Sequence, residues 1–365
     1  MRIALIVLLL TPALAGCSTP PPGSDGERTR TLTVLTHESY LIDDAVIAAF
    51  ERASGAEVSI VTHGDSGAVL NEIILTKDNP LADVVFGIDN ALAEKAKAAG
   101  ILVEYRPQGW ETIRSDLVFD PDWELTPNDY GYVQINYDKA ALEARGLAPP
   151  ERLEDLTNAT WKGLLVVEHP ATSSPGLAFL LATVARFGAD EAFDWWRAME
   201  SNDVVVAAGW SEAYFTQFAG GGTGDVPMVV SYATSPPYAA WEACKQDGVY
   251  IGLERCRAER PEAVVLPTEN VDVPEGAWLQ IEGIGILKGA KEPELARAFI
   301  DFTLTKDYQA SLATSNFVWP AVEGAAVPDF FALVSEPDEP ATLPGSQLAE
   351  KNLQAWTDAW SEIFQ

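Results

Sequence analysis

The stretch "NDYGYVQINYDKAAL", residues 128–142, decides the fold. Tyr130, Tyr132, Gln134 and Asn136 alternate with Val133, Ile135 and Tyr137 without a tight-turn signal. A period of two carried that far predicts one long extended strand. A second such segment, "WLQIEGIGILKG", follows at 278–289. Two long strands far apart in sequence are what a chain needs to cross twice between two globular units.

The flanking sequence supplies the units. "TLTVLTH" (31–37), "AEVSIVTH" (56–63) and "ADVVFGID" (82–89) read as strands, the last buried on both faces. Between them "LIDDAVIAAFERASG" (41–55) places Ile42, Val46, Ile47 and Phe50 at helical spacing and stops at Gly55. "DSGAVLNEIILTK" opens a helix at about Asp65–Ser66, and "NALAEKAKAAG" (90–100) closes one at Gly100. "KGLLVVEHP" (162–170) starts a second α/β set, followed by the helix "SPGLAFLLATVARFG" (174–188) with Pro175 at its first position. "KEPELARAFIDFTLT" (291–305) is a helix with Leu295, Phe299 and Phe302 on one face. The expected architecture is α/β, with two lobes of mainly parallel sheet joined by two crossover strands. A ligand would lie in the cleft outside the carboxyl ends of the strands, trapped by hinge closure.

The first residues indicate export. Met1-Arg2 precedes "IALIVLLLTPALAGC", a short positive region, an apolar run and small residues before Cys17. That run is short for a membrane span. "LAGC" (14–17) resembles the bacterial lipobox, which implies a signal peptide over 1–17 and lipid on Cys17. "STPPPGSDGERTR" (18–30) reads as a flexible tether to the membrane. With Cys17 lipidated, Cys244 and Cys256 remain, a pair suited to one local disulfide in an oxidising compartment. Such a bridge adds about 3 kcal/mol in the chain-entropy model.

Composition excludes several classes. A net charge of −30 argues against nucleic acid, which requires basic stripes. His37, His63 and His169 never fall four residues apart, so no metal site is expected. "GDSG" (64–67) copies the nucleophile motif of chymotrypsin-like proteases. It opens a helix in an α/β pattern, however, and the upstream His37 and His63 are too near in sequence for that fold. No catalysis and no cofactor are expected.

Four loops at strand ends carry the candidate site. Asp65 and Ser66 cap a helix. "HPATSSPG" (169–176) places Thr172, Ser173 and Ser174 before a helix, with Ser174 the expected N-cap. "AGWSEAYFTQFAGG" (208–221) puts Trp210 before Ser211, a second expected N-cap, with Gly220 ending the helix. The indole either staples that helix or faces the cleft. "SYATSPPY" (231–238) follows a strand read at Val226–Val230. Pro236 and Pro237 stiffen it, so Tyr232, Ser235 and Tyr238 lose little entropy on binding. Aromatic faces and hydroxyls suit a small cationic aromatic molecule.

Six stretches in order, "DVVFGIDN", "NDYGYVQINYDK", "EHPATSSPGL", "GWSEAY", "SYATSPPY" and "NFVWP", resemble the thiamine-binding proteins of bacterial ABC importers. The resemblance runs from about residue 31 to about 325. It implies the type II periplasmic-binding-protein fold, a monomer, and delivery of thiamine or its phosphates to a permease and its ATPase. The lobes would comprise 31–128 with about 283–312, and about 132–278 with about 318–365. Asp65 and Ser66 would touch ligand from the first lobe, although the family often has Gly at the position of Ser66. Ser173 and Ser174 would hold the hydroxyethyl or phosphate end. Trp210 would stack on a ring, Tyr232, Ala233, Thr234 and Ser235 would form the loop edge, and Tyr238 an aromatic wall. Phe317 stands where a Trp is usual, with Trp319 two residues on.

Two other ligands fit the same architecture. Ferric iron binders of this fold usually show a Tyr-Tyr pair, and this chain has none. A polyamine-like cation or an amine bearing a phosphonate would want several carboxylates, and the four loops offer mainly Asp65.

Overall fold

A computed structural model describes residues 30–273, 276–344 and 347–365. The signal peptide, Cys17 and the tether lie outside the described residues, apart from Arg30, which opens the first strand.

Eight strands form the spine: β1 (Arg30–Thr36), β2 (Ala56–Thr62), β3 (Val84–Asp89), β4 (Thr126–Asp138), β5 (Leu165–Glu168), β6 (Val205–Ala207), β7 (Met228–Tyr232) and β8 (Trp278–Leu287). Their order is β2-β1-β3-β8-β4-β7-β5-β6. Pairing is parallel between β1 and each of β2 and β3, and between β5 and each of β6 and β7, as the strand–helix alternation predicts. The two long strands are antiparallel to everything they join. The thirteen-residue β4 pairs through Val133–Tyr137 with β7, and through Thr126–Val133 with β8. β8 in turn pairs through Glu282–Ile286 with β3. One continuous sheet therefore serves two halves, and its two middle strands belong to both.

The helices follow from caps and apolar faces. α1 (Asp44–Ser54) starts on the Asp43 side chain and ends at Gly55 in the left-handed conformation. α2 (Ser66–Leu75) is capped by Asp65, and α3 (Ala93–Ala99) ends at Gly100. α4 (Ser174–Phe187) is buried over its first three turns. Its N-cap is Ser173, not the expected Ser174: Ser173 Oγ accepts from the Gly176 amide at 3.3 Å. Ser174 is thereby the first helical residue and Pro175 the second. α5 (Ala189–Ser201) packs Trp195 and Trp196 on α4. α6 (Tyr238–Ala243) and α7 (Leu253–Glu259) are joined by the Cys244–Cys256 disulfide expected from the sequence. α8 (Pro293–Thr303) and α9 (Lys306–Asn316) cover the first half, where Phe299, Tyr308 and Leu312 share a core with Leu32 and Val34. α10 (Glu350–Ile363) packs on both α5 and α3, so it straps the halves together. Its Trp360 is fully buried against Trp196 and His169.

Candidate functional site

A cavity of about 330 Å³ lies between the halves. The carboxyl ends of strands from both halves open onto it, as expected for an open α/β sheet. From the first half, β1 delivers His37, Glu38 and Ser39, and the cap of α2 delivers Asp65 and Ser66. From the second, α4 presents Ser174, and the segments after β6 and β7 present Trp210, Tyr214, Tyr232, Thr234, Ser235 and Tyr238. The turn after α9 adds Asn316 and Phe317, and β8 contributes Glu282.

Nine of the eleven residues proposed from sequence line this cavity: Asp65, Ser66, Ser174, Trp210, Tyr232, Thr234, Ser235, Tyr238 and Phe317. Ser173 and Ala233 do not. Ser173 is fully buried and its hydroxyl is committed to the α4 cap. Ala233 is buried beneath the loop, where its amide donates to Tyr132 O at 2.8 Å and its carbonyl accepts from Asn270. Both set the backbone that the lining residues stand on. Trp319 does not stand in for a cleft tryptophan: it is buried and stacked on Tyr130 at 5.7 Å.

Two local readings change. Trp210 opens the helix itself, with Gly209 as N-cap, and Ser211 caps nothing. The helix ends well before Gly220, because residues 213–217 form a π turn in which the Phe218 amide reaches back to Ala213 O at 3.0 Å. Such turns are frequent at functional sites. This one sets Tyr214 under Trp210, ring on ring at 5.1 Å and 22°. The strand before "SYATSPPY" also runs further than expected, to Tyr232, so that Tyr232 is held by ladder hydrogen bonds.

The Trp210 indole resolves both alternatives left open by the sequence. It packs on Tyr214 and also lines the cavity. Its Nε1 donates to Ser231 Oγ at 2.9 Å, and Ser231 Oγ shares a hydrogen bond with Ser235 Oγ at 2.9 Å. Opposite stands a second aromatic group. Tyr238 and Trp241 both meet Phe317 edge-on at 5.1 and 5.3 Å, and Phe330 backs Phe317. Phe317 adopts a left-handed backbone (φ 57°), and its carbonyl accepts from the Thr234 hydroxyl. That bond ties the second half to the turn after α9.

The residues missed by sequence reasoning include every ionisable group of the lining except Asp65, Tyr232 and Tyr238. His37 and Glu38 follow β1, a strand end whose position was legible although its chemistry was not. Glu282 carried a clearer signal: it is the one carboxylate in the otherwise uncharged run Trp278–Leu287. Glu38, Asp65 and Glu282 line the cavity, and no Lys or Arg does so among the described residues. Behind them lie more acids. The register sets Glu282 between Asp89 of β3 and Asp129 of β4. Burial pushes Asp89 up to about 7 and Asp129 up to about 8, and it raises Glu282 and Glu168 as well. Glu168 is fully buried with both oxygens unpartnered. The cleft is therefore an aromatic box edged and backed by carboxyl groups, whose ionised forms are costly to bury unless a positive charge enters. No three His, Cys, Asp or Glu among the described residues converge in a way that would hold a metal ion.

Residues 79–339 match the family described as bacterial extracellular solute-binding protein. The thiamine-binding periplasmic protein of Salmonella typhimurium is 30% identical over 337 residues, covering 90% of this chain and 92% of that protein. Its counterpart in Brucella suis is also 30% identical, covering 90% and 91%. The solved structure of a periplasmic thiamin binding protein is 27% identical and superposes with a TM-score of 0.75, covering 94% of this chain and 99% of the other.

Proposed function

We propose, since the chain belongs to the bacterial extracellular solute-binding protein family of non-catalytic transport components, that it captures thiamine outside the cytoplasm for an ABC importer. The observation that carries this reading is the cavity lining. Aromatic faces of Trp210, Tyr232, Tyr238 and Phe317 surround a space edged by Glu38, Asp65 and Glu282 and free of Lys and Arg among the described residues. Thiamine has a permanently charged thiazolium, a flat aminopyrimidine and a hydroxyl. Rings stack on the planar parts, carboxylates meet the charge, and hydroxyls such as Ser174 orient the alcohol.

The reading extends to the rest of the system. Lipid on Cys17 and the 18–30 tether hold the protein at the membrane surface as a monomer, where it meets a permease and its ATPase. The lobes, 31–128 with 283–312 and 132–278 with 318–365, meet in the middle of β4 and β8.

Calorimetric titration with thiamine, after unfolding and refolding to strip carried ligand, tests the reading. One-to-one submicromolar binding supports it, and no heat at any pH refutes it. The three lining carboxylates also favour a second reading, an aliphatic polyamine, more than the sequence loops did. Spermidine in the same cell decides between them: it binds as tightly as thiamine only if the aromatic walls are incidental.

A further inference from the structure

Glu282 interrupts an apolar strand, and its side chain lines the cavity. The sheet places it directly opposite Asp89 on one side and Asp129 on the other. Like charges so placed destabilise a sheet unless something compensates them. Asp89 is compensated, because it accepts from the amides of Ala91 and Leu92 and from Gln280 Nε2. Asp129 is not. It is 1% exposed, it stands directly opposite Glu282 in the sheet register, and no N–H or O–H donor reaches either of its oxygens. Two carboxyl groups buried opposite one another coexist at low cost only when one of them carries a proton.

The surroundings offer little else to neutralise the pair. His37 Nε2, buried and without a hydrogen-bond partner, stands 3.5 Å from Glu282 Oε1. The other titratable neighbours are the phenols of Tyr40, Tyr232 and Tyr308 and the carboxyl groups of Asp89 and, beyond it, Asp65. Apart from the His37 imidazole, none of these groups can bring a positive charge to the pair.

We propose that Glu282 and Asp129 share one proton in the ligand-free protein and release it to solvent when a cation binds in the cleft. The proposal rests on the reading of the cleft as a thiamine site. The O–H bond of the pair breaks, the proton leaves to buffer, and the freed electron pair stays on the carboxylate facing the cation. The high protonation range of Asp129, up to about 8, places the exchange at neutral pH. Capture is then linked to pH: affinity rises with pH, at most about tenfold per unit for one proton.

Titration calorimetry of the whole protein with thiamine at pH 7, in phosphate, HEPES and Tris, measures the proton count from the dependence of heat on buffer ionisation enthalpy. The expected result is release of about 0.5–1 proton. Asp129→Asn supplies an amide that can donate to an ionised Glu282, so this variant binds thiamine with release near zero. The wild-type dissociation constant between pH 6 and 8 gives a second measure that needs no variant. Tight binding with no buffer dependence, a pH-independent affinity, or undiminished release from Asp129→Asn would each overturn the proposal alone. Failure of thiamine to bind at all removes the underlying reading and the proposal with it.

Discussion

Asp65 and Trp210 are joined across the cleft. Asp65 Oδ2 accepts the Trp210 backbone amide at 3.1 Å, while Oδ1 accepts the Ser66 amide at 2.6 Å. One carboxylate thus caps a helix of the first half and latches the second. Asp65→Asn separates the two tasks. Asn is as good an N-cap as Asp, but its amide nitrogen turned toward Trp210 sets donor against donor. The ligand-free melting temperature should stay within about 2 °C, and thiamine affinity should fall about tenfold or more, as for loss of a hydrogen bond to a charged group. The loss should lie mainly in the off-rate. Affinity within twofold of the parent would show that the latch is incidental.

Gly67 lies on the same seam. A Cβ there would stand 2.8 Å from Thr172 C and 2.9 Å from its oxygen. Nearby, the Ala68 amide donates to Thr172 O at 3.1 Å, and Asn71 Nδ2 to Ala171 O at 3.3 Å. Backbone atoms cannot swing aside as a side chain can, so Gly67→Ala wedges the halves apart. Within α2, however, Ala is better than Gly by about 1 kcal/mol. The two effects separate by state. The ligand-free protein should keep or gain stability, while thiamine binding weakens and X-ray scattering shows less of the ligand-induced compaction expected of the parent. Normal affinity with normal compaction would mean that the seam adjusts freely.

Trp210→Ala should raise the dissociation constant for thiamine about 5–30-fold, the equivalent of about 1–2 kcal/mol for a desolvated cation–π contact. Trp210→Phe keeps a ring over Tyr214 but loses the Nε1 donor to Ser231, so an intermediate value is expected. Titration calorimetry of the three proteins orders them. If Trp210→Ala stays within twofold of the parent, the affinity lies in the carboxylates and not in the stack.

Phosphorylation of the ligand should weaken binding. A cavity edged by Glu38, Asp65 and Glu282 repels added negative charge, and among the described residues it offers no Lys or Arg to a phosphate. The N-terminus of α4 at Ser174 offsets part of this for a single phosphate group. The expected order is thiamine, then the monophosphate, then the diphosphate, read as competition against thiamine in one titration series. A diphosphate binding tightest would require a cation outside this lining.

The strand-and-helix order and the two crossing strands were legible because their signals are local: period two in residues 128–138, near-continuous apolar character in Val84–Asp89, and glycines where helices stop. Eight of the nine site residues were legible because they sit at or just after the ends of those strands, while Phe317, in the turn after α9, came only from the family resemblance. Three things were not. The Ser173 cap and the π turn at 213–217 depend on one-residue differences in backbone geometry that composition does not encode. The row Asp89–Glu282–Asp129 depends on the register between strands separated by up to about 190 positions. A lone Glu in an apolar strand was visible in the sequence, but its acidic neighbours appear only once the sheet is assembled.

The same row predicts how stability responds to pH. Burial pushes Asp89 up to about 7 and Asp129 up to about 8, against about 4 in the unfolded chain. Between those limits the folded protein holds protons that the unfolded chain has lost. That stabilisation is complete at the acid end and disappears as pH rises through 7 and 8. His169 acts in the opposite sense: burial lowers it, so its contribution is lost as pH falls below about 6.5. Asp116 and Glu269, held low chiefly by Arg114 and Lys139, lose theirs only in stronger acid. The window from pH 6.5 to 8.5 therefore isolates the buried acids. The ligand-free melting temperature should fall across it by about 2–6 °C. Asp129→Asn, which holds no proton to lose, should flatten the fall, and saturating thiamine should do the same by placing a cation where the proton was. Scanning calorimetry in phosphate, whose pKa changes little with temperature, measures all three. A ligand-free melting temperature that rises from pH 6.5 to 8.5 would show that the acids are ionised in the folded protein throughout.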